Sequence, residues 1–179
     1  YDRWVADHLK HGIAIQPKFD GMRMIAHKKG DEIKLITEDR LRDRASFFPE
    51  SVKDFKDIKG PYILDTEMVE YTEKELPKGK GKIFEKYEQF PRENLIPWIV
   101  ADKPPRDDTR VVFHIHDILW HPQKGDVHEL PYRERLSLLK DLVPTPKHLE
   151  VVRTWYVNTP KQFDDALEEA RNYPNSEGA

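Results

Sequence analysis

Lys18-Phe-Asp-Gly-Met-Arg23 places a lysine at the end of an apolar stretch, two residues before an acid and five before an arginine. A lysine is a nucleophile only as its free amine, and desolvation or a nearby cation moves it toward that state. Arg23 offers a planar fork that grips a phosphate or carboxylate through two parallel hydrogen bonds. Gly21 lets the backbone turn tightly or come close to a ligand. Taken alone, the six residues fit a charged β-turn as well as a reactive centre. Alternation in Leu64-Asp-Thr-Glu67 puts Asp65 and Glu67 on one strand face. Two such carboxylates can meet ribose hydroxyls or hold Mg²⁺ directly or through water, and they also fit a solvated edge. His114 and His116 alternate in the same way. A zinc site would need a third ligand, which no other tight spacing among the 8 histidines supplies, so zinc is not expected.

The elements that must carry these residues follow from periodicity. Residues 2–10 read as a short helix with Trp4, Val5 and Leu9 as its apolar stripe, ended by Gly12. Ile13 to Pro17 and Met22 to His27 read as strands on either side of the Lys18–Gly21 turn. Gly30-Asp31 is a hairpin signal before a third strand, Glu32 to Thr37. Pro49 to Phe55 reads as a helix, and Pro61 to Tyr71 and Arg110 to Trp120 as strong strands. Leu130-Pro131 opens a helix, Leu149 to Val157 is a strand, and Thr159-Pro160 caps a last helix running to Tyr173. Residues 72–109, with Lys78-Gly-Lys-Gly-Lys82 at their centre, read as an exposed insertion holding one short helix near Glu93 to Val100. The strands follow hairpin rather than βαβ logic, so the fold class is α+β, antiparallel sheets flanked by helices.

Composition narrows the function classes. The chain has 179 residues, 37% hydrophobic and 35% charged, enough for one domain with a core. It contains no cysteine, which excludes disulfides and thiolate chemistry within it. No apolar run approaches the ~20 residues that span a bilayer. The formal net charge of −3 argues against tight nucleic-acid binding by the whole surface, leaving local clusters such as Arg40-Arg42-Arg44 and Lys78-Lys80-Lys82 to do so. The start at Tyr1 and the stop at Ala179 suggest a fragment.

Lys-x-Asp-Gly-x-Arg resembles the first motif of the covalent nucleotidyltransferases, which include DNA ligases, RNA ligases and mRNA capping enzymes. Other segments resemble later motifs in order. Thr37-Glu-Asp-Arg40 precedes Phe48-Pro-Glu50, and Leu64-Asp-Thr-Glu67 keeps the two acids of an Asp-Gly-Glu. Phe113-His-Ile-His-Asp-Ile-Leu-Trp120 is similar to a strand reading Phe-Asp-Ile-Leu-Tyr. Leu130-Pro-Tyr-Arg-Glu-Arg135 resembles the Pro-Leu-x-Glu-Arg-Arg helix of DNA ligases, and Glu177-Gly178 the start of the fourth motif.

The resemblance implies an ATP-dependent DNA ligase adenylation domain with a ligase-type, ATP-grasp-like fold. Lys18 would take AMP from ATP, with Asp20 and Arg23 beside it, and AMP would pass to the 5′-phosphate of nicked double-stranded DNA. Gln16, Arg40 (with Arg42 as the alternative), Glu67, His116 and Glu177 would contact the nucleotide. His116 stands where the family stacks a Phe on the purine, and Gln16 where ligases have a Glu. Asp65, Glu67 and Glu177 would hold Mg²⁺. Asp65 and Glu67 are expected in one cleft with Lys18. The fourth motif's lysine, the fifth motif and an OB domain would lie beyond Ala179, so the 179 residues alone are expected to adenylylate poorly. The protein is expected to be monomeric, not secreted, and cytoplasmic or associated with the nucleoid or nucleus. RNA ligase, capping guanylyltransferase and a non-catalytic nucleic-acid-binding relative are the alternatives.

Overall fold

In the computed structural model, residues 3–38, 41–95, 101–105, 107–144 and 146–179 are described. They form two compact units, the first built from both ends of the chain (residues 1–20 and 152–179) and the second from residues 21–151.

The first unit contains α1 (Arg3–Leu9), β1 (Ile13–Ile15), β9 (Trp155–Val157) and α5 (Pro160–Arg171). β1 and β9 pair antiparallel, Ile13 opposite Val157 and Ile15 opposite Trp155. Leu9, Ile15, Val157, Ala166 and Ala170 are its buried core. Alanines at two positions four apart let α5 approach the two-stranded ribbon closely. Thr159 caps α5 by accepting from the Gln162 N–H at 3.3 Å, and Pro160 fills the first turn, where its missing N–H costs nothing.

The second unit is organised on a sheet whose order is β3 (Glu32–Thr37), β2 (Met22–Lys29), β4 (Tyr62–Glu75), β6 (Val111–His121), β7 (Gly125–Asp126). Two further strands join it, β5 (Tyr87–Gln89) on β4 and β8 (Leu149–Val151) on β6. The helices are α2 (Pro49–Asp57), α3 (Ile83–Lys86) and α4 (Tyr132–Leu142). Phe113 at mid-sheet takes the edges of Phe48 and Phe55, centroids 5.3 and 5.2 Å away. All three rings are fully buried, an arrangement worth more than area alone because ring edges meet ring faces.

Three expectations from sequence are corrected. Leu149 to Val157 is not one strand: β8 and β9 are separated at residues 152–154 and belong to different sheets. Hairpin logic also fails once, because β8 runs parallel to β6 after α4. The sequence between them contains the helix such a crossover requires. Finally, the described part of 72–109 is not merely an exposed insertion. β4 continues to Glu75, β5 pairs with it, and Ile83, Phe84 and Leu95 are buried. Three apolar anchors among many charges escape a compositional reading. Of the helix expected at Glu93 to Val100, residues 92–95 are helical and 96–100 lie outside the described residues.

Candidate active site

In the first unit, Lys18 sits in a two-sided backbone clasp. Its N–H donates to the Gly178 carbonyl at 3.0 Å, and its carbonyl accepts from the Glu177 N–H at 2.8 Å. Nζ donates to Glu177 Oε2 at 2.7 Å, with the lysine side chain 65% exposed. Two residues 159 apart in sequence are thus fixed as neighbours. The next residue, Phe19, is 5% exposed and meets Tyr173 edge-on at 6.3 Å. Lys18 therefore projects from a backbone anchored on one side by a bridge and on the other by a buried ring. Gln16 donates from Nε2 to Thr154 Oγ1 at 2.9 Å, which fixes its amide plane. Asp20, half-buried, ends the unit.

In the second unit, Arg23 on β2 reaches across to β4. Its Nε and Nη2 donate to the two carboxylate oxygens of Asp65, each at 2.9 Å, and Nη1 reaches Glu38 at 3.3 Å. The Asp65 carboxylate holds the guanidinium firmly protonated, chiefly through these hydrogen bonds and then by charge, with Glu38 adding to it. Both Asp65 oxygens are engaged, so this acid's first role is to orient Arg23. Glu67 accepts from the Gly21 N–H at 3.0 Å. A Cβ on Gly21 would stand 2.3 Å from the Met68 carbonyl and 2.8 Å from Val69 Cγ2, so glycine is required by close approach to β4.

His116 owes its place to a β-bulge. Asp65 faces Asp117 and Thr66 faces Ile115, which leaves His116 as the extra residue on β6. A bulge re-aims the side chain it carries, and alternation alone does not find it. Burial holds the His116 imidazole below its ordinary 6.5, with Arg23 adding to that and Asp65 and Asp117 opposing it. At neutral pH it is an uncharged ring beside the Arg23–Asp65 pair. His114 is fully buried, its Nε2 2.8 Å from the Tyr71 hydroxyl and its ring edge-on to Phe84 at 5.5 Å.

Arg40 lies outside the described residues. The alternative, Arg42, donates to Asp102 at 3.2 and 3.3 Å, and Arg44 reaches the same carboxylate at 2.5 Å. Arg44 first, then Arg42, keep the Asp102 carboxyl below its usual range. Asp102 was not singled out from the sequence, because its two arginine partners lie some sixty positions earlier in the chain. Among the described residues no group of three or more His, Asp or Glu side chains could hold a metal ion. Asp65 and Glu67 belong to the second unit and Glu177 to the first. Nor is any helix of the described residues long and apolar enough to cross a membrane.

The family profile described as "ATP dependent DNA ligase domain" matches residues 3–179. The chain belongs to that family. It is 28% identical over 160 residues to a probable DNA ligase of Dictyoglomus turgidum, covering 87% of this chain and 25% of that protein. It is 30% identical over 136 residues to a DNA ligase of Nanoarchaeum equitans, covering 75% of this chain and 22% of that one. The chain thus spans about a quarter of the length of the curated relatives it matches. Among solved structures, the ligase domain of LigD from M. tuberculosis superposes with a TM-score of 0.64 at 20% identity, over 94% of this chain and 47% of that one. A mycobacterial DNA ligase D complexed with ATP and MES gives 0.62 at 19% identity, with the same coverage of each chain. At these identities the likeness is one of fold, and the ligase nucleotidyltransferase fold expected from the motifs is the one observed.

The buried His114 of this ligase-family chain makes its stability depend on pH. Burial drives His114 well below its ordinary 6.5, with His116 and Lys82 adding to the effect, so the folded state keeps it neutral. The unfolded chain takes up a proton near pH 6.5 that the folded chain refuses. The His114 contribution is therefore fully present above about pH 6.5 and is lost as pH falls toward the lowered folded value. The melting temperature is expected to drop as pH falls below about 6.5, and His114→Gln should make that drop shallower. An equally steep drop in the variant would exclude His114 as a source.

Proposed function

We propose that this chain is the adenylation domain of an ATP-dependent DNA ligase, in which Lys18 attacks the α-phosphate of ATP, pyrophosphate leaves, and AMP remains on Lys18 as a phosphoramidate. The observation that carries this reading is the clasped, exposed Lys18 with Glu177 on its Nζ. As an ammonium, Lys18 must lose a proton before attack, and Glu177 Oε2, 2.7 Å away, can accept it. Asp20 and Arg23 complete the first motif, and Arg23, oriented by Asp65, grips phosphate oxygens. Glu67 meets the ribose while it braces the Gly21 turn. His116 stacks on the purine, with Gln16 at its edge and Arg40 or Arg42 toward the sugar and phosphates.

Mg²⁺ would be held in the way usual for that ion, by one or two acids together with substrate phosphates and water rather than by a protein cage. Glu67 and Glu177 would hold it, with Asp65 acting chiefly through Arg23. When bound, the ion neutralises phosphate charge. AMP then passes to the 5′-phosphate of nicked double-stranded DNA for sealing. The protein would act as a monomer in the cytoplasm, nucleoid or nucleus. Residues 72–109 would be a peripheral insertion, outside the nucleotide site.

The experiment is incubation of the full-length protein with radiolabelled ATP, GTP or NAD⁺ and Mg²⁺. Covalent label from α-labelled ATP alone is expected. Label from GTP instead would favour a capping guanylyltransferase, and no label from any donor would favour a non-catalytic relative.

A further inference from the structure

The β6 bulge that presents His116 is gripped on both sides by one helix. Tyr132, the first residue of α4, donates its hydroxyl to the His116 carbonyl at 2.8 Å. One turn on, Arg135 donates from Nε and Nη2 to the two oxygens of Asp117, at 2.8 and 2.7 Å. The same guanidinium donates from Nη1 to the His128 carbonyl at 3.1 Å and to the Leu130 carbonyl. The Arg135 and Asp117 side chains are each 17% exposed, so this pair is shielded far more than a surface ion pair. A bulged residue lies outside the regular ladder, and its direction depends on what else holds it. At His116 both that residue's carbonyl and the next residue's side chain are held by α4.

We propose that Tyr132 and Arg135 are positioning residues for the purine: by clamping the bulge they set the plane of His116, and with it the affinity for ATP and the preference for adenine over guanine. This rests on the nucleotide-binding reading above. A ring that stacks on a base acts through its orientation, and a displacement of about 1 Å by a remote change is enough to lower productive binding. The Arg135–Asp117 fork requires arginine, since lysine has no second parallel donor.

The test uses the full-length protein and covalent labelling from α-labelled ATP and GTP, with melting temperature measured in parallel. Tyr132→Phe keeps the ring and removes only the hydroxyl. It is expected to raise the ATP concentration for half-maximal labelling about 5- to 10-fold, the worth of one net hydrogen bond. The maximal rate should change less than that concentration, and the ATP-over-GTP preference should narrow. In a His116→Ala background the same change should have little further effect, because the group being positioned is gone. Arg135→Lys should fall between wild type and Arg135→Ala. A Tyr132→Phe protein with lowered melting temperature but unchanged half-saturation and donor preference would overturn the proposal, leaving α4 a packing element. Fully additive effects of Tyr132→Phe and His116→Ala would do the same. A wild-type protein that takes no label would instead overturn the adenylation reading on which the proposal stands.

Discussion

Lys18→Ala is expected to reduce covalent labelling by ATP to background while leaving the melting temperature of the protein nearly unchanged. The size of the first effect follows from chemistry: without the amine no phosphoramidate forms, and neighbouring groups cannot replace a missing nucleophile. The small second effect follows from structure. The side chain is 65% exposed, and its ion pair to Glu177 is itself open to solvent. Exposed pairs contribute roughly 0–1 kcal/mol. The backbone clasp between Lys18 and residues 177–178 uses N–H and C=O groups that alanine retains. Lys18→Arg tests the same point with charge kept, since a guanidinium stays protonated and is no nucleophile. Wild-type levels of label in either variant would remove Lys18 from the mechanism.

Gly21→Ala should be nearly as damaging, for a different reason. The new methyl would meet a backbone carbonyl, that of Met68, at 2.3 Å. Because that carbonyl belongs to β4, which is paired on both sides by β2 and β6, it cannot move away without breaking register. Overpacking of this kind costs typically about 1–3 kcal/mol. The turn between Lys18 and Arg23 would shift instead, and the Gly21 N–H would leave Glu67. Labelling should fall by about 10²-fold or more, the order expected when reacting groups are displaced by about 1 Å, with a melting temperature lowered by several degrees. Full labelling at unchanged stability would mean that the approach of Gly21 to β4 is not needed.

Most elements were legible because their signals are local. The Thr159-Pro160 cap, the Gly30-Asp31 turn and the alternation through Leu64 and Thr66 each stand where expected. The parts that were not legible depend on distant partners. The buried Phe84 is anchored among charges by its contact with His114, thirty positions on. The bulge at His116 arises from register between β4 and β6, which no single-strand pattern records. The parallel pairing of β8 with β6 likewise required the three-dimensional arrangement. Within the proposed site, the candidate residues were chosen by type, spacing and resemblance to the family's motifs. Their supports were not: Asp65 as the orienting partner of Arg23, Asp102 as the shared counter-ion of Arg42 and Arg44, and the α4 clamp. Such supports are read from geometry, because many acids and tyrosines in the sequence would serve equally well by type alone.

The central claim is that one lysine carries AMP, and the most direct measurement is peptide mass spectrometry of the full-length protein after incubation with ATP and Mg²⁺. A single added AMP is expected, on the peptide containing Lys18, released when excess pyrophosphate reverses the reaction. AMP on a different lysine, or no adduct while the protein still seals nicked DNA, would contradict it.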